Sequence, residues 1–235
     1  PNDELIEGNT FVVFDTETTG FNPGLGDSMI ELGGVMIHNG EVVDRFDELI
    51  NPGHHIDAAI TRVTDISDDD VKDADNEENV TKRFLEWAGD NPMVAHNAKF
   101  DIGFIEMAMK KYNLGEFKNT VIDTLELSRT LDQGFARHSL SALVKRYNVP
   151  FDEDSHHRAD YDAEGTALVF SKMIKKLSRA EGRKIKTLYN NMTKWGVSLE
   201  GKEDKASPIG GQGDSEANDM YQANVFIPLL NENIG

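Results

Sequence analysis

The most informative segment of this chain is Thr10-Phe11-Val12-Val13-Phe14-Asp15-Thr16-Glu17-Thr18-Thr19-Gly20. Its opening residues are apolar or β-branched, which predicts a buried strand over Thr10–Phe14 that ends at Asp15. Side chains alternate along a strand, so Asp15 and Glu17 would point to the same face and could share one metal ion. Such a pair is common in solvated turns, but two like charges beside a buried strand repel each other unless a cation separates them. We therefore treat Asp15 and Glu17 as candidate metal ligands.

The segments that follow predict a mixed sheet. Two strand-like runs, Met29–His38 and Glu41–Ile50, are joined by Asn39-Gly40, a dipeptide typical of tight hairpins. Two shorter strands, Met93–Ala95 and Val121–Asp123, lie between segments whose apolar residues have helical spacing. The predicted helices cover residues 56–63, 77–88, 98–112, 125–131, 139–147 and 160–177. This order predicts an α/β fold of the ribonuclease-H-like kind, with three antiparallel strands, then short parallel strands, and helices on both faces of the sheet.

We expect one folded domain with an extension at each end. Residues 1–9 form a polar leader, residues 10–177 the α/β domain, and residues 178–235 a linker and C-terminal extension. Within the extension, a Gly- and Asp-rich stretch over 201–218 precedes a strand-like run at 225–230, which we assign to a neighbouring domain. Because the chain begins with Pro1 rather than Met, we expect it to be a piece of a longer protein.

Composition narrows the chemistry. The 235-residue chain contains no cysteine, which excludes thiolate metal sites and thiol nucleophiles and leaves oxygen and imidazole ligands, as suit magnesium or manganese. A formal net charge of −18 argues against nucleic-acid binding by basic side chains. We expect that cations held by carboxylates would bind the phosphate, and that a larger partner would supply most of the remaining affinity. No apolar run approaches the length of a membrane span and no export signal is recognised, so we expect a cytoplasmic protein without a membrane partner.

Further candidate residues follow two predicted strands. His96 and Asn97 close the strand at Met93–Ala95, and Asp101 falls in the first turn of the next helix, where the helix dipole favours a carboxylate. These groups lie at the carboxyl edge of the sheet, where α/β proteins place their ligands. His96 is interpreted as an orienting or structural histidine, and Asp123, at another strand end, as a second-shell carboxylate.

The last candidate segment is His156-His157-Arg158-Ala159-Asp160-Tyr161-Asp162. Asp162 lies near the start of the last long helix and His157 on the loop before it. A histidine so placed can approach an attacking water without binding metal, as a general base requires. His156 is interpreted as a bystander and Asp160 as a second-shell residue.

These four segments resemble the motifs of the DnaQ-like, or DEDDh, 3′→5′ exonucleases, named for four acidic residues and a histidine. The acidic positions fall on Asp15, Glu17, Asp101 and Asp162, and the histidine falls on His157, five residues before Asp162. The resemblance covers roughly residues 10–177. The segments around Asp123 and His157 look most like the proofreading domain of PolC-type DNA polymerase III alpha subunits.

The resemblance implies a mechanism, a substrate and partners. Two Mg²⁺ ions, with Mn²⁺ as an alternative, would be held by Asp15, Glu17 and Asp162, with Asp101 acting through coordinated water. His157 would take the proton of the attacking water. The substrate would be a single-stranded or frayed DNA 3′ end, and the products would be nucleoside 5′-monophosphates. The partners would be polymerase domains of the parent chain. Substrate contacts are expected at Thr16, Thr18, Thr19, Gly20, Phe21, His96 and Asn97.

Three alternatives stay open at this point. Phe21 could be an apolar wedge against the terminal base or an ordinary loop-packing residue. The enzyme could trim RNA, in the manner of oligoribonuclease or ribonuclease T, instead of proofreading DNA. The chain could also be a non-catalytic module that tethers a polymerase, although the complete set of catalytic residue types argues against this.

Overall fold

The computed structural model describes residues 9–152 and 158–178 of the chain. Residues 1–8 of the predicted leader, the pair His156 and His157, and the predicted extension from residue 179 onward lie outside the described residues. The α/β domain is therefore described over most of its predicted range.

The described residues form one five-stranded mixed sheet. Its strands are β1 (Thr10–Thr18), β2 (Met29–His38), β3 (Glu41–Leu49), β4 (Met93–Ala95) and β5 (Val121–Asp123). Their spatial order is β3-β2-β1-β4-β5, with β1, β2 and β3 antiparallel and β4 and β5 added in parallel to β1. The prediction of an antiparallel meander followed by short parallel strands is confirmed.

Helices cover both faces of this sheet. They are α1 (Ala58–Thr64), α2 (Asp68–Val71), α3 (Glu77–Ala88), α4 (Ala98–Lys111), α5 (Thr124–Leu131), α6 (Leu140–Arg146) and α7 (Ala159–Ser178). On one face Phe11 and Val13 of β1 pack with residues of α5, α6 and α7. On the other face Val12 and Phe14 pack with residues of α3 and α4. Alternation along β1 therefore directs odd-numbered side chains toward α7 and even-numbered ones toward α4.

The predicted end of the first strand is wrong by several residues. The pairing of β1 with β2 continues past Asp15 to Thr18, with an irregularity between Glu17 and Thr18. Main-chain hydrogen bonding to a long neighbouring strand outweighs the polar character of these side chains. Asp15 and Glu17 are consequently strand residues with fixed directions. Two short elements, α2 and a 3-10 turn at Pro23–Leu25, are absent from the sequence prediction.

Gly33 of β2 allows the start of α7 to lie directly on the sheet. A Cβ atom at this position would be 2.3 Å from the backbone nitrogen of Asp160 and 2.7 Å from the carbonyl carbon of Ala159. Both are backbone atoms and cannot rotate away. Gly33 is also the cross-strand partner of Asp15, so this close approach brings the first turn of α7 next to the carboxylates of β1.

We expect Gly33→Ala to destabilise the protein by about 1–3 kcal/mol, the usual range for overpacking, because the start of α7 must move off the sheet. The matched control is Gly103→Ala within α4, where an added Cβ meets nothing within 4 Å. That substitution should stabilise the protein by roughly 0.5–1 kcal/mol, since alanine favours a helix interior over glycine. Urea unfolding of both variants provides the measurement. Equal stability of the Gly33→Ala variant and the parent chain would contradict this account of the packing.

Candidate active site

Three carboxylates from distant parts of the chain meet at the end of β1. Asp15 and Glu17 project from the α7 side of β1, and Asp162 lies in the first turn of α7. Each offers one oxygen atom, and these oxygens lie within 4.8 Å of one another. Among the described residues, no other group of three carboxylate or imidazole ligands is arranged in this way.

The fourth predicted carboxylate, Asp101, approaches from the opposite face of the sheet. It lies in the first turn of α4 and is 2% exposed. Its Oδ1 accepts hydrogen bonds from the backbone nitrogen of Thr16 at 3.1 Å and from Thr16 Oγ1 at 2.5 Å. Thr16 is buried and its side chain holds Asp101, while its predicted contact with substrate stays a prediction. Asp101 is therefore tied to the strand between the two other carboxylates.

The four carboxylates repel one another strongly. Burial, together with the charges of Asp101, Glu17 and Asp162, raises the pKa of Asp15 well above its usual range. Burial and the same kind of repulsion raise the pKa of Glu17 to about 8. Burial raises the pKa of Asp101 to about 7, even though the hydrogen bonds from Thr16 favour its ionised form. Full ionisation of this cluster near neutral pH consequently requires a positive counter-charge.

A divalent cation fits this donor set. Carboxylate oxygens are the ligands that Mg²⁺ and Mn²⁺ prefer, and the three oxygens of Asp15, Glu17 and Asp162 are close enough to bind one ion. A cation among them would replace mutual repulsion by attraction. These residues would hold the metal that the sequence predicts.

Asp123 orders the turns that carry the site. It is buried at the end of β5, and its Oδ1 accepts hydrogen bonds from the backbone nitrogens of Asn97 at 3.0 Å and Leu125 at 2.9 Å. Burial raises the pKa of Asp123 to about 7. The first of these bonds fixes the turn that leads into α4, and the second caps α5. Asp123 therefore positions the start of the helix that contains Asp101.

His96 and Asn97 lie on this same turn. His96 Nδ1 is 2.9 Å from Thr124 Oγ1, and burial lowers the pKa of His96 to about 4, so the ring is neutral at physiological pH. These contacts suit the orienting role predicted for it. Asn97 is exposed and adopts a left-handed backbone conformation (φ 63°), which leaves its side chain outside the core.

The loop after β1 is held by its own hydrogen bonds. Thr18 Oγ1 donates to the carbonyl oxygen of Gly20 at 2.6 Å, and the backbone nitrogen of Ser28 donates to Thr19 Oγ1 at 2.9 Å. Phe21, at the tip, is 87% exposed and lies in an edge-on arrangement with the ring of Phe100, at a centroid distance of 6.2 Å. The loop thus presents a large apolar ring to solvent beside the carboxylates.

Hydrogen bonds of Arg158 that the sequence did not predict hold the start of α7. Arg158 Nε donates to Glu31 Oε1 of β2 at 2.8 Å, and Arg158 Nη2 donates to Asp47 Oδ2 of β3 at 2.5 Å. Glu31 is buried, is the cross-strand partner of Glu17, and has its pKa raised to about 9 by burial and by Asp47. The position of Glu31 inside the apolar run Met29–Ile37 indicates a buried carboxylate, but it does not indicate which residue is its partner.

Asp160 makes a second contact between α7 and β3. Its Oδ2 accepts a hydrogen bond from Arg45 Nη1 of β3 at 2.7 Å, and Glu164 Oε2 pairs with Arg45 Nη2 at 2.5 Å. Asp160 therefore contacts β3. In its predicted second-shell role it would affect the site by holding α7 in place. These contacts also fix the position of Asp162, because its backbone nitrogen donates a hydrogen bond to the carbonyl oxygen of Arg158 at 3.1 Å.

Comparison with known proteins gives this site a context. A sequence model described as Exonuclease (RNase_T) matches residues 12–170, a range that includes all four carboxylates. The chain is 47% identical over 176 residues to "DNA polymerase III PolC-type" of Listeria monocytogenes, covering 74% of this chain and 12% of that protein. The namesake protein of Staphylococcus aureus is 44% identical over 177 residues, with 75% and 12% covered. The chain thus spans about an eighth of the length of these relatives.

Solved structures show the same fold. Exonuclease X in complex with 5′ overhanging duplex DNA aligns with a TM-score of 0.56 and 25% identity, covering 72% of this chain and 94% of that chain. The nuclease domain of 3′hExo, a DEDDh family member bound to rAMP, aligns with a TM-score of 0.62 and 15% identity, covering 74% and 95%. The predicted ribonuclease-H-like plan is confirmed by these neighbours. Within the described residues, no helix has the length and apolar character needed to cross a bilayer.

We expect Arg158→Gln to weaken Mn²⁺ binding roughly 10–100-fold, the range seen when a group that orients a metal ligand is lost, because Asp162 would no longer be held beside β1. Isothermal titration calorimetry provides the measurement. Arg83→Gln is a matched control, since Arg83 also pairs with two carboxylates, Glu48 of β3 and Asp75, and its side chain is 43% exposed against 52% for Arg158. The control should change Mn²⁺ affinity by no more than about twofold, because its ion pairs join α3 to β3 and to Asp75 and do not hold α7. Equal losses in both variants would show that Arg158 is not a specific anchor of the site.

Proposed function

This chain belongs to the exonuclease family, and we propose that it removes nucleotides from the 3′ end of DNA as the proofreading domain of a PolC-type replicative polymerase. The observation that carries the proposal is the meeting of Asp15, Glu17 and Asp162 beside Asp101 in a chain that matches this family over residues 12–170. The products would be nucleoside 5′-monophosphates and a DNA strand shortened by one residue.

The residues of the chain would divide the chemistry among them. Asp15, Glu17 and Asp162 would hold two divalent cations, Mg²⁺ by preference, with Asp101 completing the negative charge around them. When bound, such cations polarise a phosphate and stabilise charge on the attacking and leaving oxygens. His157, five residues before Asp162 in the sequence, would take the proton from the attacking water. The water oxygen bonds to phosphorus, and the bond from phosphorus to the 3′ oxygen of the neighbouring nucleotide breaks.

The loop after β1 would position the terminal nucleotide. Thr18, Thr19 and Gly20 form an ordered strip next to the carboxylates, and the exposed ring of Phe21 is available to pack against a base. Asn97, exposed on the turn before α4, would contact the nucleotide from the other side, and His96 would fix that turn. Of the two interpretations of Phe21, its high exposure favours the wedge over loop packing.

The polymerase context rests on the two PolC-type relatives and on the small share of their length that the chain spans. We propose that residues 10–177 form the exonuclease domain and that residues 178–235 belong to flanking sequence of the parent polymerase. Its partners would be the polymerase domains and a single-stranded or frayed 3′ end. We propose that the chain acts in the cytoplasm, where such a polymerase would copy DNA.

The direct test uses oligonucleotides of one sequence, as DNA and as RNA, each labelled at the 5′ end. With Mg²⁺, the DNA should yield a ladder of products shortened one residue at a time, and a 3′ label should be released as a mononucleotide. Degradation from the 5′ end or internal cleavage would contradict the proposed direction. Faster hydrolysis of RNA would favour the RNA-trimming alternative, and complete inactivity in both Mg²⁺ and Mn²⁺ would favour the tethering module.

We expect His157→Ala to lose about 10²–10⁴-fold in kcat, the usual contribution of a general base, with Mn²⁺ affinity nearly unchanged because His157 is not a ligand. The adjacent His156→Ala is the matched control and should retain most of the activity. Single-turnover cleavage of labelled DNA measures both. Equal losses at the two positions would overturn the assignment of His157 as the base.

A further inference from the structure

One stretch of this acidic chain is basic. Between Leu127 and Phe151 the sequence contains one carboxylate, Asp132, whereas the whole chain has a formal net charge of −18. The basic residues of the stretch are Arg129, Arg137, Lys145 and Arg146. The stretch comprises the end of α5, a loop over residues 132–139, and α6. We call residues 133–138 the α5–α6 loop.

The single carboxylate of the stretch does not contribute surface charge. The side chain of Asp132 is fully buried, and its oxygens accept bonds from Arg146 Nη1 at 2.8 Å and Lys176 Nζ at 2.5 Å. The hydroxyl of Tyr147 donates to the same carboxylate at 2.9 Å. Burial opposes the ionisation of Asp132, but these donors outweigh it and lower its pKa. Arg146 is thus paired with Asp132, and Arg129 is paired with Glu126, so the positive charge on the exposed face of the α5–α6 loop is that of Arg137.

The loop is ordered by hydrogen bonds between side chains and backbone. Arg146 Nη2 donates to the carbonyl oxygen of Arg137, and its guanidinium lies 4.0 Å from the ring centroid of Phe135. His138 Nε2 is 2.9 Å from the carbonyl oxygen of Phe135, and His138 Nδ1 is 3.0 Å from Ser128 Oγ. A loop fixed in this way presents its side chains at low conformational cost.

The loop lies at the same edge of the sheet as the carboxylates. The backbone of His138 lies near the ring of His96, and His96 is adjacent to Asn97 on the turn that enters α4. Two aromatic side chains among the described residues are more than half exposed: Phe21, at 87%, and Phe135, at 54%. Phe21 follows β1, and Phe135 is placed by the His138 contact on the β4 and β5 side of the same edge.

We propose that the α5–α6 loop binds the single-stranded DNA that lies upstream of the 3′-terminal nucleotide, with Phe135 stacking on a base and Arg137 pairing with a phosphate. The proposal rests on the proposed function and extends its site by one or more nucleotides. An aromatic ring combined with cations is the general means of holding single strands without sequence preference, because every base has a flat face and every nucleotide a phosphate. A proofreading enzyme needs such tolerance.

The test separates binding from catalysis. Binding of a fluorescent 10-residue single strand is measured by anisotropy with Ca²⁺, which occupies oxygen sites, and hydrolysis is measured on the p-nitrophenyl ester of thymidine 5′-monophosphate, which has no upstream nucleotide. Phe135→Ala and Arg137→Gln should each weaken binding of the 10-residue strand, by about 5- to 100-fold for the stacking residue. Hydrolysis of the ester should be unchanged in both variants. The matched control is the variant Arg62→Gln with Val63→Ala, an exposed basic and apolar pair on α1, which should bind the strand as the parent chain does.

The outcomes are distinct. Unchanged strand binding in both loop variants would overturn the proposal and leave the loop as a contact surface for another protein domain. A parallel loss of ester hydrolysis, or a lowered melting temperature, would overturn it in favour of structural support for the catalytic centre. Failure of the parent chain to hydrolyse the ester would count against the proposed function, whereas the anisotropy measurement would still report whether the loop binds single strands.

Discussion

Repulsion among four carboxylates at the end of β1 is the constraint on which the rest of the structure depends. Asp15, Glu17 and Asp162 bring oxygens within 4.8 Å of one another, and Asp101 is bonded to the intervening Thr16. Such an arrangement is unfavourable for a protein without a cation, so it persists only because rigid elements enforce it. Side chains of β1 point alternately to α7 and α4, which lie on opposite faces of the sheet. The strand therefore lies between Asp162 of α7 and Asp101 of α4.

Two features hold Asp162 of α7 close to the carboxylates of β1. Gly33 lets the backbone of α7 approach β2 more closely than a side chain would allow, and Arg158 ties the first residue before the helix to Glu31 and Asp47. On the α4 side, Asp123 fixes the turn that begins the helix. The catalytic carboxylates are thus few, whereas the groups that hold them in place lie on the three strands β2, β3 and β5 and directly before α7. This distribution explains why residues without any chemistry of their own, such as Gly33, are expected to matter for metal binding.

The sequence predicts those features that depend on local pattern. The hairpin at Asn39-Gly40, the shared face of Asp15 and Glu17, and the place of Asp101 in the first turn of a helix all follow from periods and turn chemistry, and the structure agrees. Features that depend on contacts between distant parts of the chain were not predicted from the sequence. Arg158 and Glu31 are 127 residues apart, and nothing near either one indicates the other. The extension of β1 beyond Asp15 likewise depends on the length of its neighbour β2, which no local pattern of β1 contains.

The most direct test of this account is the melting temperature of the chain as a function of pH, with a chelator and with Mg²⁺. Burial and repulsion raise the pKa of Glu17 to about 8 and that of Asp101 to about 7, so the folded chain binds protons that the unfolded chain has released. This contribution to stability is complete below the unfolded pKa of about 4 and is lost as pH rises through the folded values. With chelator, the melting temperature of the parent chain should therefore fall between about pH 5 and about pH 8 more steeply than that of Glu17→Gln, and Mg²⁺ should remove most of the difference. Identical pH profiles for the two chains, unaffected by Mg²⁺, would contradict the claim that the carboxylates form a strained cation site.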